Sequence, residues 1–571
     1  MDKLFNFVKT HKVKIVIFLI IVAGILLRLI SIDKQGGMWF DEMYCYYIAS
    51  QENILKILDK LYNEDFHAPL YFIILHYWMK FFGDSDLILR LFSLLCSVAT
   101  IPVFYKIGKK INSENFGLIC AAIAALNSIL IYYSQEVKFY SMLFLLSSIL
   151  MLYLLKYKEE QSKLNSTVIG ITSITILYTY TLGLAYLAFL GVMLSIYFFR
   201  TNKDIFKHFL KLQLVVAIVY LPYLFMVLHH SILLNNFYLS LVDVFPFSLA
   251  NILTTVQMMF SPVVLNLSNG VPVALGPEYI LTIHFFSFAV IPTFICLYGL
   301  FRSLKTNDFK TFILTINLAF IILAFILTLL RQFIFIPRYI LIAFPAILIF
   351  AMYGLYTIPN KKSAKILITL YIAINFIYLS LAPYSAPRLD RLEKYGSAAN
   401  MLKNEKITKQ DLVCMPFSGN LLTKYADVNV VDIDFGKIYL RNTDNSLEMI
   451  FDKNLTKKLN KKNAPEELKT YVYSTQIPKK FEKYLDTHIS KKLKRGSKFV
   501  IVVNSTYYIP NIIIQQYKNQ DDKLHKRFAM FYILYSKMVN HIVNYAFENF
   551  KMIKIIKSED DIWVLYLFEK K

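Results

Sequence analysis

The run Gly37-Met38-Trp39-Phe40-Asp41-Glu42 joins an aromatic shelf to two adjacent carboxylates, just after the first apolar stretch of the chain. A carboxylate beside apolar walls can be held basic enough to take a proton from a hydroxyl. Three further runs carry complementary groups. Ser134-Gln135-Glu136-Val137-Lys138-Phe139-Tyr140 offers a carboxylate and an ammonium two residues apart, with Tyr140 one helical turn beyond Glu136. Arg331 and Arg338 lie either side of Phe335-Ile336-Pro337, and arginine's planar fork suits a phosphate. Asp65-Phe66-His67-Ala68-Pro69 supplies a histidine able to hydrogen-bond a substrate. Each run also has an ordinary reading: solvated loop acids, an interfacial belt of Tyr and Lys, snorkelling arginines, a lone loop histidine. A shared location would turn them into one site.

The elements that must position them are membrane helices. The apolar residues, 56% of the chain, are gathered into runs of a length that suits spanning helices, and mean hydropathy is +0.48. Eleven spans are expected, at 14–32, 87–107, 116–133, 138–156, 165–179, 182–199, 211–229, 279–301, 311–330, 337–358 and 364–382. The first follows four lysines and no small-x-small cleavage site, so it reads as an uncleaved helix rather than a signal peptide. Basic clusters test the count. Lys3/Lys9/Lys12/Lys14, Lys106/Lys109/Lys110, Lys156/Lys158/Lys163, Arg200/Lys203/Lys207, Arg302/Lys305/Lys310 and Lys361/Lys362/Lys365 all fall on one face, the cytoplasmic one by the positive-inside rule. The N-terminus is therefore expected in the cytoplasm of a multi-pass cell-membrane protein.

The same count puts 33–86, the 134–138 turn, 230–278, 331–336 and everything after 383 on the outer face. All the candidate side chains then share that face. The first outer loop should contain an amphipathic helix over Glu52–Leu61 and an interfacial helix over His67–Phe82. The proline-bearing loop 230–278 reads as a lid or re-entrant segment. The domain division is thus a transmembrane catalytic domain, 1–382, and an extracytoplasmic α/β domain, 383–571. Strand-like runs in the latter are Asp411–Met415, Val428–Ile433, Lys498–Val503 and Trp563–Phe568.

Composition excludes several classes. The net charge of +23 sits in short loops and in the tail, which alone carries 33 Lys/Arg against 21 Asp/Glu. Orientation and an anionic lipid surface account for it without nucleic acid, for which no base-reading helix is present. Cys45, Cys96, Cys120, Cys296 and Cys414 have no metal-ligand spacing and several lie in apolar spans, so no disulfide framework is expected. A Gly-rich phosphate loop is also lacking, which argues against a nucleotide donor.

At Trp39-Phe40-Asp41-Glu42, His67-Ala68-Pro69-Leu70-Tyr71, Gly83, Leu89-Arg90-Leu91-Phe92-Ser93, Ser134–Tyr140, Pro337-Arg338-Tyr339 and Phe344-Pro345 the chain resembles the polyprenyl-phosphate-sugar-dependent membrane glycosyltransferases of the GT-C class. The nearest branches are glycosyltransferase family 39, with the protein O-mannosyltransferases, and the branch that includes the lipid A aminoarabinose transferase. The resemblance implies an outward-facing site in a GT-C fold, with Asp41 as base and Glu42 beside it. It implies Lys138, Arg338 and Arg331 on the donor phosphate, and Glu136, His67 and Tyr140 on substrate. The family usually carries arginine where this chain has Lys138, which keeps the charge and loses the fork. No metal is assigned. Some enzymes of the class use a divalent cation, and Glu42, Glu136 and His67 are the donors one would use. The implied partners are a polyprenyl-phosphate sugar, membrane lipid, and an acceptor glycan, lipid or protein. A flippase of lipid-linked sugars and a membrane-anchored binding or assembly protein are the alternatives; few charges lie mid-span to mark a transport path.

Overall fold

The structure, a computed structural model, describes residues 2–30, 32, 37–64, 67–244, 256–257, 259–261, 286–306, 308–329, 337–385, 394–416, 419–431, 479–505, 523–558 and 562–570. The chain forms two compact units. The first comprises 1–33, 45–233 and 247–390, and the second 34–44, 234–246 and 391–571.

The first unit is built of helices. In chain order they are α1 (Asp2–Leu29), α2 (Phe40–Ala49), whose first turn belongs to the second unit, α3 (Ile54–Glu64), α4 (Leu70–Phe82), α5 (Asp86–Ile111), α6 (Glu114–Leu126), α7 (Ser128–Ser134), α8 (Tyr140–Glu159), α9 (Lys163–Thr179), α10 (Gly183–Thr201), α11 (Lys203–Val244), whose end from Leu234 belongs to the second unit, α12 (Ile291–Ser303), α13 (Phe309–Leu329), α14 (Phe344–Tyr356) and α15 (Lys361–Ser385). A 3-10 segment, Pro337–Ala343, leads into α14. Capping residues fix several starts. The side chains of Ser85, Ser113, Asn127 and Ser162 accept backbone N–H bonds at the first turns of α5, α6, α7 and α9.

Each expected span overlaps a helix over its described residues. Among the described residues, seven helices are long and apolar enough to cross a membrane: α5, α8, α10, α11 to Leu228, α13, Arg338–Tyr356 and α15. The pair α6–α7, bent by 52°, makes eight if it is one span. The remaining three of the eleven expected spans overlap α1, α9 and α12, which are not among those seven or eight, and 279–285 lie outside the described residues. Burial separates lining from centre. Only 17% of the α11 window is buried in the protein, against 89% of Arg338–Tyr356. Leu214 and Phe225 on α11 are accordingly left for lipid, while Phe344 to Leu355 are enclosed.

Glycine sets the closest approach. A Cβ on Gly354 of α14 would run into the Gly299 carbonyl of α12, and one on Gly299 into the Ala351 carbonyl. Three of the six basic clusters also come together, as the alternation requires. Lys110 at the end of α5 pairs with Glu159 at the end of α8, Lys310 at the start of α13 bonds the Ile111 carbonyl at 2.6 Å, and Ser113 meets the Tyr356 hydroxyl at 3.2 Å. These ends of the helices therefore form one rim.

Two expectations change. The seventh span does not stop near 229: α11 continues as helix to Val244, so the first part of the expected lid is helical. Most of 245–278 lies outside the described residues. Most of the first outer loop is helical as well. Besides α3 and α4 it contains α2, where no element was expected.

The second unit holds a five-stranded mixed sheet. Its strands are β1 (Leu412–Cys414), β2 (Asn429–Val431), β3 (Lys498–Asn504), β4 (Lys551–Lys557) and β5 (Trp563–Glu569), in the order β2-β1-β3-β5-β4. β1 pairs in parallel with β2 and β3; β5 pairs antiparallel with β3 and β4. The central strand β3 is buried along nearly its whole length. Helix α16 (Tyr395–Asn404) packs on the sheet through Tyr395 and Trp563, whose ring centres are 5.7 Å apart. A long helix, α17 (Lys523–Asn549), adds the Tyr535 hydroxyl, which accepts from the Asn504 backbone N–H. β4 was not foreseen. Its sequence, Lys-Met-Ile-Lys-Ile-Ile-Lys, is exposed and forms an edge of the sheet.

Candidate active site

In the first unit, the turn between α7 and α8 is suspended from α1 and α5. The Gln135 side-chain amide donates to the carbonyls of Arg28, at 2.8 Å, and Ile30, at 2.6 Å. These are end-of-helix carbonyls of α1, which lack partners within the helix. Arg90 Nη1 on α5 donates to the next, Ile32, at 3.1 Å. Ser93 Oγ, one turn along α5, donates to the Lys138 carbonyl at 3.2 Å. The turn is thereby fixed at the Gln135 side chain and at the Lys138 carbonyl.

Arg28 itself supports the break above this turn. It is fully buried. Its Nη1 donates to Gly24 and Ala125, its Nη2 to Ala124 and its Nε to Ser97 Oγ, all within 2.9–3.0 Å. Ala124 and Ala125 end α6, where Asn127 interrupts the helix and caps α7. Their carbonyls lose their helical partners there and receive the guanidinium instead.

The turn was expected at the membrane surface. Instead Glu136 (1% exposed), Lys138 (4%) and Tyr140 (5%) are buried. The reason is aromatic packing around Phe139. Its ring centre is 5.8 Å from His67, 6.0 Å from Tyr71, 4.7 Å from Tyr140 and 5.5 Å from Tyr180. Tyr180, in the turn between α9 and α10, donates its hydroxyl to the Tyr339 carbonyl at 2.9 Å. Arg338 precedes Tyr339 and holds its guanidinium carbon 5.9 Å from that ring. A continuous line of contacts, His67–Phe139–Tyr180–Tyr339, thus joins three of the four runs singled out in the sequence. Lys138 and Arg338 are each the immediate chain neighbour of a member of that line. Arg331 lies outside the described residues.

The fourth run is in the second unit. Gly37, at φ +84°, turns the chain into α2. Met38 N–H donates to the Tyr425 hydroxyl at 2.8 Å, and the Met38 carbonyl accepts from Tyr395 N–H at 3.2 Å. Trp39 is then the residue before α2, and Glu42 the third residue within it. Glu42 Oε2 reaches back to Trp39 N–H at 3.5 Å, the long end of a hydrogen bond, as in a capping box. Asp41 and Glu42 occupy the first turn, where helix polarity favours negative charge. The two carboxylates, equivalent in the sequence, differ here. Glu42 is 1% exposed and braces its own helix, whereas Asp41 is half-buried.

For a metal, the donors named from the sequence divide between units, His67 and Glu136 in one and Glu42 in the other. No group of three His, Cys, Asp or Glu side chains that could hold an ion occurs among the described residues. Sequence reasoning gave no role to Gln135, Arg28, Arg90, Tyr180 and Tyr425. Two of them had a signal: Arg28 and Arg90 are single charges in apolar runs, which a membrane tolerates only with a purpose.

A family profile described as dolichyl-phosphate-mannose-protein mannosyltransferase matches residues 66–226, less than half of the chain. No curated protein matches the sequence as a whole. Solved structures are similar along nearly the full length. ArnT from Cupriavidus metallidurans in the apo state superposes with a TM-score of 0.52 at 11% identity, covering 96% of this chain and 97% of that one. The same protein bound to undecaprenyl phosphate gives 0.50 at 12% identity, with the same coverage. The Archaeoglobus fulgidus oligosaccharyltransferase AglB, in complex with an inhibitory peptide and a dolichol-phosphate, gives 0.51 at 13% identity, covering 99% of this chain and 75% of that one. At such identities the likeness is one of fold.

Proposed function

We propose that this chain, whose fold is that of the GT-C membrane glycosyltransferases, moves a sugar from a polyprenyl-phosphate carrier to an acceptor hydroxyl on the extracytoplasmic face. One observation carries the reading. The line His67–Phe139–Tyr180–Tyr339 gathers two cation-bearing turns, at Lys138 and Arg338, at one end of the helices, opposite the rim of basic clusters. A lipid-linked phosphate needs cations at the end of an apolar bundle, and the family profile and the lipid-phosphate ligands of the similar structures support the same class.

In the proposed reaction Asp41 takes the proton of the acceptor hydroxyl as its oxygen attacks the anomeric carbon. The bond from that carbon to the phosphate oxygen breaks, and the polyprenyl phosphate leaves with the bonding pair. Lys138 and Arg338, with Arg331, stabilise the charge that develops on it. His67, Glu136 and Tyr140 hold sugar and acceptor. A single displacement inverts the anomeric configuration. Glu42 acts by fixing the start of α2, so the base is Asp41 alone.

The test is the protein in liposomes with a labelled polyprenyl-phosphate sugar and envelope fractions from cells lacking the protein. Free polyprenyl phosphate should appear and the label should move to the envelope fraction. Asp41→Asn should abolish both, and Arg338→Ala should slow them about 10²–10³-fold, the effect of removing one stabiliser of developing charge. Movement of intact donor across the bilayer without release would establish the flippase instead.

A further inference from the structure

The first outer segment and the C-terminal domain are treated by their sequence as separate parts, yet the chain at Gly37–Trp39 is held by groups from 395–425. Both hydrogen-bonding groups of the Met38 backbone are used. Its N–H goes to the Tyr425 hydroxyl at 2.8 Å and its carbonyl receives Tyr395 N–H at 3.2 Å. The Met38 side chain is fully buried. Gly37 leaves no spare room: a Cβ there would meet Tyr425 Cζ at 2.9 Å and the Gly396 backbone nitrogen at 3.1 Å. The clamp is itself anchored. Tyr425 follows the 3-10 turn Gly419–Lys424, and Tyr395 opens α16 with its ring against Trp563 of β5.

We infer that the C-terminal domain is part of the catalytic apparatus, and that Tyr425 is a positioning residue for Asp41. The inference rests on the reading of Asp41 as base. Asp41 follows Met38 by three residues and lies in the first turn of a helix whose start is braced by Glu42 on Trp39. Where the Met38 backbone is fixed, the first turn of α2 is fixed. Misplacing a reacting group by about 1 Å loses on the order of 10²-fold in rate, so a two-point backbone clamp three residues from the base acts on turnover. It does not act on donor affinity, because the clamp touches the loop that carries the base and not the cations on the phosphate.

The experiment uses the full-length protein in detergent and in liposomes. Tyr425→Phe keeps the ring and removes the hydroxyl. Gly37→Ala adds the Cβ that meets Tyr425 and also strains a positive φ. Two readouts are taken: amide hydrogen exchange over residues 37–44, and release of polyprenyl phosphate from the labelled donor at varied donor concentration. Both variants should exchange faster over 37–44 and lose about 10–100-fold in kcat, with KM for the donor within about twofold. Unchanged exchange in Tyr425→Phe would overturn the clamp. Faster exchange with unchanged kcat would overturn its positioning role. Full turnover by Asp41→Asn would remove the base assignment, and the positioning role with it, while the exchange result stood.

Discussion

The Tyr180 hydroxyl donates to the carbonyl of Tyr339 across 159 residues of sequence, at 2.9 Å. It is one of the contacts that hold the Arg338 turn to the Phe139 cluster. Tyr180→Phe should therefore weaken donor binding without touching the base. A single neutral hydrogen bond contributes about 0.5–1.5 kcal/mol, which corresponds to a rise of about 2–10-fold in KM for the lipid donor. A donor titration in liposomes measures it, and a fall in kcat at unchanged KM would contradict this role.

Arg28 supports the break between α6 and α7 with two of its four hydrogen bonds, those to Ala124 and Ala125. Arg28→Met keeps the length of the side chain and strands the Ala124 and Ala125 carbonyls. Each unsatisfied buried group costs about 1–3 kcal/mol, so a loss of about 2–5 kcal/mol is expected. Thermal unfolding in detergent should show a clearly lowered Tm, with activity per folded molecule much less affected.

Gly354 on α14 faces the Gly299 carbonyl on α12 with no space for a methyl group. Gly354→Ala must push the two helices apart. Overpacking of this kind costs about 1–3 kcal/mol, and a backbone contact cannot yield by rotating a side chain, so the upper end is expected. A stability comparison with Ala346→Gly, on the same helix, separates the steric effect from helix propensity: only Gly354→Ala should separate α12 from α14 in a cysteine cross-linking assay.

The Tyr46 phenol is pushed up to about 12, first by burial and then by the charge of Asp84, to which its hydroxyl donates at 3.1 Å. An unfolded tyrosine loses its proton near pH 10, about two units lower. Between those values the unfolded chain holds fewer protons at this site than the folded one, so stability falls as pH rises. The contribution is fully present below about pH 10 and lost towards pH 12. The alkaline loss of stability should be smaller in Tyr46→Phe than in the parent, measured as the denaturant midpoint from pH 9 to 12.

The helices were legible because lipid demands long apolar runs and because lysines cluster at alternate ends. Lys110 with Glu159 and Lys310 with Ile111 meet where that alternation requires. The candidate side chains were legible as types, but their surroundings were not. Glu136 and Lys138 read as surface charges, since nothing local reveals that Phe139, His67 and Tyr180 close over the turn. Asp41 and Glu42 read as a matched pair. The difference between them arises from the helix start at Phe40, set by Gly37 and by Tyr425, which is nearly four hundred residues further along. β4 escaped notice because three lysines interrupt its apolar alternation, and only its pairing with β5 makes it a strand.

Those lysines have a use that concerns other copies of the chain. The outermost strand of an open sheet offers a template on which a neighbouring molecule can polymerise. Lys551, Lys554 and Lys557 set positive charges at regular intervals along it, with Lys554 steadied 2.7 Å from Glu405. An incoming identical strand would set lysine against lysine, which disfavours pairing of one copy's edge on another's.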